Sequence, residues 1–327
     1  MARPTMEDVA ARAGVSRALV SLVMRGSPKV SAARRAAVLA AAAELGYSPH
    51  AMARSLASRT SHVLGVMVSD LHNPFWAEVV DGLDLYAREA GFELVINTGG
   101  RSPVREHQAL ASLASFRPAG IALLGPVLPS SSIEKSAGEG PVVLVSRSTR
   151  LSTVDTVNDD GRTGSALAVD HLVSLGHREI VHIDGGSGSQ STPRRTGYRL
   201  AMKRHGLEPR VVRGEYTESA GAAAIRSLHA PFTAVIAAND LNAVGVLSAL
   251  AELGLGVPAD VSVVGYDNTW LAALRHIGLT TIDQPRHEMG RLAAEALIAR
   301  VRGEVPNPAR LVVRPSLVVR TSTAPPS

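Results

Sequence analysis

Arg17, Ala18, Ser21 and Arg25 are spaced by one, three and four residues, which places all four on one face of a helix. Two guanidiniums, a hydroxyl and a methyl along such a face suit base edges in the major groove of DNA, where arginine reads guanine through paired hydrogen bonds. Val20 and Val23 fall on the opposite face, available for packing. Ahead of this segment Thr5 is a good helix N-cap, and the carboxylate of Asp8 suits the positive end of the helix that follows to about Ala13. Gly14 can take the left-handed backbone of a tight turn, and Ser16 is placed to cap the next helix near Arg17. Helix, short glycine turn, helix is the order of a helix-turn-helix, whose second helix enters the major groove.

Charge supports the same reading. Up to His62 there are nine Arg and Lys against three Asp and Glu, a local +6, while the whole chain carries +5. The entire basic excess therefore sits on the first fifth of the chain, as phosphate binding requires. Ser31 is placed to cap a third helix through Leu45, alanine-rich and of high helix propensity, with Gly46 as its terminator. After Pro49 the run HAMARSLAS is too short and too weakly apolar to be a stable helix alone.

These groups need a scaffold, and the rest of the chain is a different kind of object. From Val63, β-rich runs at 63–69, 92–96, 120–124 and 142–146 alternate with helical stretches near 74–90 and 104–116. The pattern recurs with a helix closing at Leu175, runs at 179–184, 211–213, 234–238 and 261–267, and helices near 194–205, 220–228 and 239–253. Alternation of this kind predicts parallel sheets flanked by helices. The fold class expected is α/β: a small all-α helix-turn-helix head and a body of two similar halves.

The first strand runs into SDLHNPFWAE, where Asn73, Phe75 and Trp76 stand next to a helix start. Aromatic rings can stack on the apolar face of a sugar while amides bond its hydroxyls. Asp160 and Asp240 sit beside helix starts and are read as caps. Phosphate-binding G-x-x-x-x-G-K-[ST], H-E-x-x-H and G-x-S-x-G motifs are all absent, and His171, His177 and His182 have no metal-ligand spacing. No enzyme, metal or cofactor is expected. The chain has no cysteine and a mean hydropathy of +0.11; the opening MARPTMEDVA has no apolar signal core. No membrane segment and a cytoplasmic location are the expectations.

The stretch T-x-x-D-V-A-x-x-A-G-V-S is carried by Thr5, Asp8, Val9, Ala10, Ala13, Gly14, Val15 and Ser16, and E-L-G-Y-x-P by Glu44 to Tyr47 and Pro49. On these residues the chain resembles the bacterial transcription regulators of the lactose-repressor (LacI/GalR) family over nearly its entire length. The resemblance implies a DNA-binding domain at 1–49, a hinge at 50–62 and an effector-binding and dimerisation body at 63–327. That body would resemble periplasmic sugar-binding proteins, with one subdomain at about 63–158 and 284–312 and another at about 159–283 and 313–327. Its partners would be double-stranded operator DNA, a small-molecule effector of carbohydrate type and a second copy of the chain. The chain ends at APPS without a leucine-rich tail, so a homodimer is expected rather than four chains.

The resemblance further implies DNA contacts from Thr5, Ser16, Arg17, Ala18, Ser21, Arg25 and, in a hinge helix formed on the operator, Ala53 and Leu56. Leu56 would wedge into a base step. Leu19 stands where the family usually has Thr, and Leu22 where an Arg often reads a base, so base specificity does not carry over. Effector contacts implied by matching motifs are Arg147, Arg194, Asn239, Asp267 and Gln284, joining Asn73, Phe75 and Trp76. Ser146 replaces the Asp that often precedes the arginine at Arg147.

Overall fold

Thr5 and Asp8 start the first helix by satisfying each other. In the computed structural model, which describes residues 4–24, 27–47 and 61–327, the Asp8 amide donates to the Thr5 hydroxyl at 3.3 Å and the Thr5 amide donates to the Asp8 carboxylate at 2.7 Å. This reciprocal cap fills amides that the first turn of a helix leaves free. Helix α1 (Met6–Ala13) ends at Gly14 with φ +64, and α2 (Arg17–Met24) follows, the Leu19 amide donating to Ser16 Oγ at 3.3 Å. Ser31 stands in extended backbone before α3 (Ala32–Glu44), yet its hydroxyl makes no capping bond. Gly46, φ +63, turns the chain so that the Tyr47 amide reaches Ala42 O at 2.8 Å. Val9, Val20, Val23, Val38 and Ala41 form the core of this head. Arg12 Nε donates to Glu44 at 2.8 Å, tying α1 to α3.

The chain divides into two compact units between Ser61 and His62. The second unit holds two six-stranded sheets. The first sheet contains β1 (Val63–Val68), β2 (Glu93–Thr98), β3 (Gly120–Leu124), β4 (Val142–Val145), β5 (Val154–Asp159) and β11 (Arg310–Val313). Its order is β11-β5-β4-β3-β1-β2 and every pairing is parallel. The second contains β6 (Ile180–Ile183), β7 (Arg210–Val212), β8 (Ala234–Ile236), β9 (Ser262–Asp267), β10 (Thr280–Asp283) and β12 (Ser316–Val318), in the order β12-β10-β9-β8-β6-β7. Only β12 runs antiparallel to its neighbour.

Helices α4 (Pro74–Glu89), α5 (Pro103–Ser115), α6 (Ser130–Glu139) and α12 (Arg286–Val301) belong to the first half. Those of the second are α7 (Gly161–Ser174), α8 (Ser191–Arg204), α9 (Glu218–Arg226), α10 (Asp240–Glu252) and α11 (Trp270–Ala273). The period of two along β1 explains the layering: Leu64, Val66 and Val68 pack under α4 and α12, while Met67 joins Leu113 and Leu123 on the α5 side. Glycines let α4 and α12 touch backbone to backbone, since a Cβ at Gly82 would lie 2.1 Å from His287 O and one at Gly290 2.0 Å from Val79 O.

The chain passes between the halves after Asp159, after Asp283 and after Val313. At the first passage Asp160 caps α7, accepting from the Thr163 amide at 3.1 Å. Asp240 does not cap its own helix. Its fully buried carboxylate accepts from the Thr269 amide at 2.7 Å and from Thr281 Oγ1 at 2.6 Å, holding the segment after β9 against β10, and Asn239 takes the capping role.

His182, in the middle of β6, is buried with Nδ1 3.1 Å from Ile236 O and Nε2 unpartnered. Burial pushes its imidazole down to about 4 from an ordinary 6.5. The unfolded chain therefore takes up this proton first. His182 stabilises fully above about pH 6.5 and loses up to about 3 kcal/mol of that contribution as pH falls toward 4. Urea unfolding should show His182→Gln with a flatter stability profile between those limits; parallel profiles would remove His182 as the titrating group.

Candidate functional site

Parallel strands end together, and in open α/β sheets ligands bind beyond those carboxyl ends. Here the ends of both sheets line one cavity. Ser69 and Asp70 follow β1, Gly125 follows β3 and Ser146 follows β4. From the other half come Asn239 after β8, Asp267 at the end of β9 and Gln284 after β10. Arg194 enters from α8, and Tyr216 from the loop between β7 and α9.

Each wall has a local cause. Asn73 caps α4, its Oδ1 accepting from the Phe75 amide at 3.1 Å, which fixes Phe75 and Trp76 in the first turn. Their rings meet edge to face at 4.8 Å. Trp76 fits against Gly125, where a Cβ would lie 2.4 Å from its ring, and Tyr216 fits against Gly185 and Gly188 in the same way, each at 2.2 Å. An aromatic ring thus faces the cavity from each half.

Arg194 is 5% exposed. Its guanidinium lies 3.6 Å from the centroid of the Tyr266 ring, donates to Ala238 O at 2.9 Å and comes within 3.7 Å of Asp267 Oδ1. A cation on an aromatic face, with a carboxylate beside it, is how a buried charge is made tolerable. Asp267 also accepts from Gln284 Nε2 at 2.5 Å, and its backbone oxygen accepts from Arg286. Burial pushes its carboxyl above the ordinary range, with Arg194 opposing. Burial likewise pushes the Tyr216 hydroxyl up to about 12, so at neutral pH it stays a donor.

Polar atoms left over in this packing converge on the cavity: Ser146 Oγ, Gln190 Oε1, Arg194 Nε, Tyr216 OH, Asn239 Nδ2 and Gln284 Oε1 are buried and unpartnered. Both donors and acceptors are among them, the complement of a molecule whose hydroxyls do both. Backbone strain gathers at the same place. Of the described non-glycine residues with positive φ, Arg101 (56°), Ser146 (57°) and Asp267 (114°) all line the cavity.

Asn73, Phe75, Trp76, Arg194, Asn239, Asp267 and Gln284, singled out in the sequence, all stand in the lining, and Arg147 does not. The positive φ of Ser146 turns the chain so that the serine faces the cavity, while Arg147 donates to Pro126 O at 3.0 Å and also to Leu128 O. Its charge holds the loop after β3 from outside. Glu106 secures the same loop by accepting from the Val127 and Leu128 amides, each at 2.9 Å. Sequence reasoning passed over Tyr216, Gln190, Arg101 and Asp70. An aromatic residue just after a short strand was the signal available for Tyr216, as it was for Trp76.

In the head, Thr5, Ser16, Arg17 and Ala18 are exposed and Ser21 is half-buried. Arg17 Nε lies 2.8 Å from Glu7 Oε1, two exposed groups that exchange readily with solvent. Leu19 and Leu22 pack against the core of the head. Arg25, Ala53 and Leu56 lie outside the described residues.

Residues 5–50 match the family described as bacterial regulatory proteins, lacI family, and residues 169–323 match the periplasmic binding protein-like domain. The ribose operon repressor of Escherichia coli (strain K12) is 38% identical over 97% of this chain and 99% of its own length. A solved complex of the transcriptional regulator CelR with cellobiose is 36% identical, with a TM-score of 0.74 over 98% of this chain and 100% of that one. The lac repressor dimer bound to operator and the anti-inducer ONPF is 30% identical, with a TM-score of 0.84 over 99% and 100%.

Arg194 and Asp267 should be energetically coupled. In urea unfolding, Arg194→Met and Asp267→Asn should each destabilise the body, and the double variant should be more stable than the sum of the singles predicts by about 0.5–3 kcal/mol. Strict additivity would show that the 3.7 Å approach is only a juxtaposition.

Proposed function

The chain belongs to the lacI family of bacterial regulatory proteins, and on that premise we propose that α2 reads an operator while the cavity of the body takes a small polyhydroxylated effector, a sugar or sugar derivative, that alters operator affinity. The observation that carries the effector half of this reading is the convergence of unpartnered buried donors and acceptors between two aromatic walls. Such groups are costly to bury without a partner, and a hydroxyl-rich molecule or water supplies one. The head carries the other half, with its local +6 and the exposed Arg17 at the start of the second helix.

Several finer assignments belong to the same reading. The protein acts by binding and not by turnover, a reading supported by its similarity to the ribose operon repressor. It works in the cytoplasm, where its DNA is; no described helix is long and apolar enough to cross a membrane. It works as a homodimer, because a pseudo-palindromic operator demands two-fold symmetry. Residues 50–62 are the hinge, with Ala53 and Leu56 on the minor groove, and repression is the sign of control, as in the ribose operon repressor. Asn73, Phe75, Trp76, Arg194, Asn239, Asp267 and Gln284 hold the effector; Arg147 supports the loop behind it.

Fluorescence anisotropy on an operator found by genomic footprinting tests the DNA half. Log affinity should fall steeply with log salt, by about 0.9 per neutralised phosphate, and Arg17→Ala should lose about 1–3 kcal/mol of discrimination at one symmetric pair of positions. An equal loss on every sequence would make Arg17 a phosphate contact. On the same operator, Asp267→Ala should bind normally without effector and fail to respond to it; an intact response would take the effector away from this cavity.

A further inference from the structure

Contacts between the two halves of the body fall into two groups. Near the passages where the chain crosses, Tyr266 OH donates to Asp159 at 2.6 Å, Gln190 Nε2 to Asn158 at 2.9 Å and Arg286 to the Asp267 carbonyl. These ties sit on or beside the crossing segments and can persist while the halves rotate about them. Two others lie away from the crossings. Ser189 Oγ donates to the Ser146 carbonyl inside the cavity, and Arg101 Nη2 donates to Glu215 Oε2 at 2.9 Å.

The Arg101 pair is the more exposed, with the two side chains 26% and 61% accessible. It joins the turn between β2 and α5 to the loop that carries Tyr216. Both ends are built for the purpose. Gly100 and Arg101 are consecutive left-handed residues, φ 55° and 56°, an arrangement that disfavours a side chain at the second position, and the Arg101 amide is anchored on Ser69 O at 2.8 Å. On the other side, Asn242 Nδ2 donates to Glu215 O at 2.9 Å and to Thr217 O at 3.2 Å, so the loop is held from within its own half. The side chains, rather than the backbones, make the connection.

We propose that Arg101 and Glu215 form a latch across the cavity, which holds the halves closed over the effector and must part for the effector to pass. The inference rests on the effector reading of the cavity. An exposed ion pair is weak and screened by salt, so the latch shifts the balance of closed and open forms only about two- to five-fold and leaves opening rapid. A gate should have that strength; a deeply buried pair in its place would trap the ligand.

The test needs neither effector nor DNA. The chain has two tryptophans, and Trp270→Phe leaves Trp76, 8% exposed on the cavity wall, as the sole reporter. In that background Glu215→Gln should raise acrylamide quenching of Trp76 about two- to five-fold at low salt. Salt at ~0.5 M should raise quenching in the parent and add little in the variant. Arg101→Gln should match Glu215→Gln, and the charge-swapped Arg101→Glu/Glu215→Arg pair should return toward the parent. Circular dichroism checks that each variant is folded, and the salt titration of the parent needs no variant at all. Quenching indifferent to salt in the parent, or unchanged in both folded single variants, overturns the latch. Such a result leaves the effector reading standing, whereas a working latch with no effector response would count against that reading alone.

Discussion

A guanidinium buried at the meeting point of two sheets is the constraint around which the body is organised. Arg194 can be placed there only because the Tyr266 ring, the Ala238 carbonyl and the Asp267 carboxylate receive it. Each of those groups is itself placed by something else. Tyr266 is fixed by its bond to Asp159 at the first crossing, and Asp267 by Gln284 at the second and by Arg286 at the start of α12. The charge that faces the cavity is thus wired to the segments about which the halves would turn. A ligand that engages Asp267 or Arg194 acts on the crossings directly, and differential contact of that kind is what a ligand needs to shift a conformational balance.

The head stands on a simpler basis. Short helices in a unit this small cannot rely on burial alone, and the reciprocal Thr5 and Asp8 cap, the Gly14 turn and the Arg12 bond to Glu44 supply the rest. With those in place Val20 and Val23 turn inward and Arg17 and Ala18 outward. The family's commoner polar residues at positions 19 and 22 are replaced here by leucines that join the core of the head. On the proposed reading, base discrimination within the described part of α2 would fall on Arg17, Ala18 and Ser21.

Much of this was legible in the chain, for identifiable reasons. The head was readable residue by residue, since caps and turns are local, although Ser31 occupies its cap position without making the bond. Most of the strands and helices up to β9 were readable as short apolar runs alternating with amphipathic stretches, but β5 and α6 were not picked out. The helix α12 and strands β10 to β12 were not delineated by pattern. Helix α12 is buried on several sides, between α4 and the first sheet, so its apolar residues trace no single stripe, and the Ser-Leu-Val of β12 forms no apolar run of its own. Position at a strand end was legible, but direction was not: a single positive φ at Ser146 exchanges the serine for Arg147 in the cavity. Tyr216 sits in a loop, and cross-half pairs such as Arg101 with Glu215 join residues 114 apart, which only the folded chain brings together.

The crystal structure of the protein with its effector bound tests the central claim most directly. The account predicts a hydroxyl-rich ligand between Trp76 and Tyr216, with oxygens at about 2.7–3.2 Å from Asp267, Asn239 Nδ2 and Gln190 Oε1 and with Arg147 still on its loop carbonyls. A ligand seated elsewhere, or one in the cavity that leaves Asp267 and Asn239 unengaged, would contradict it.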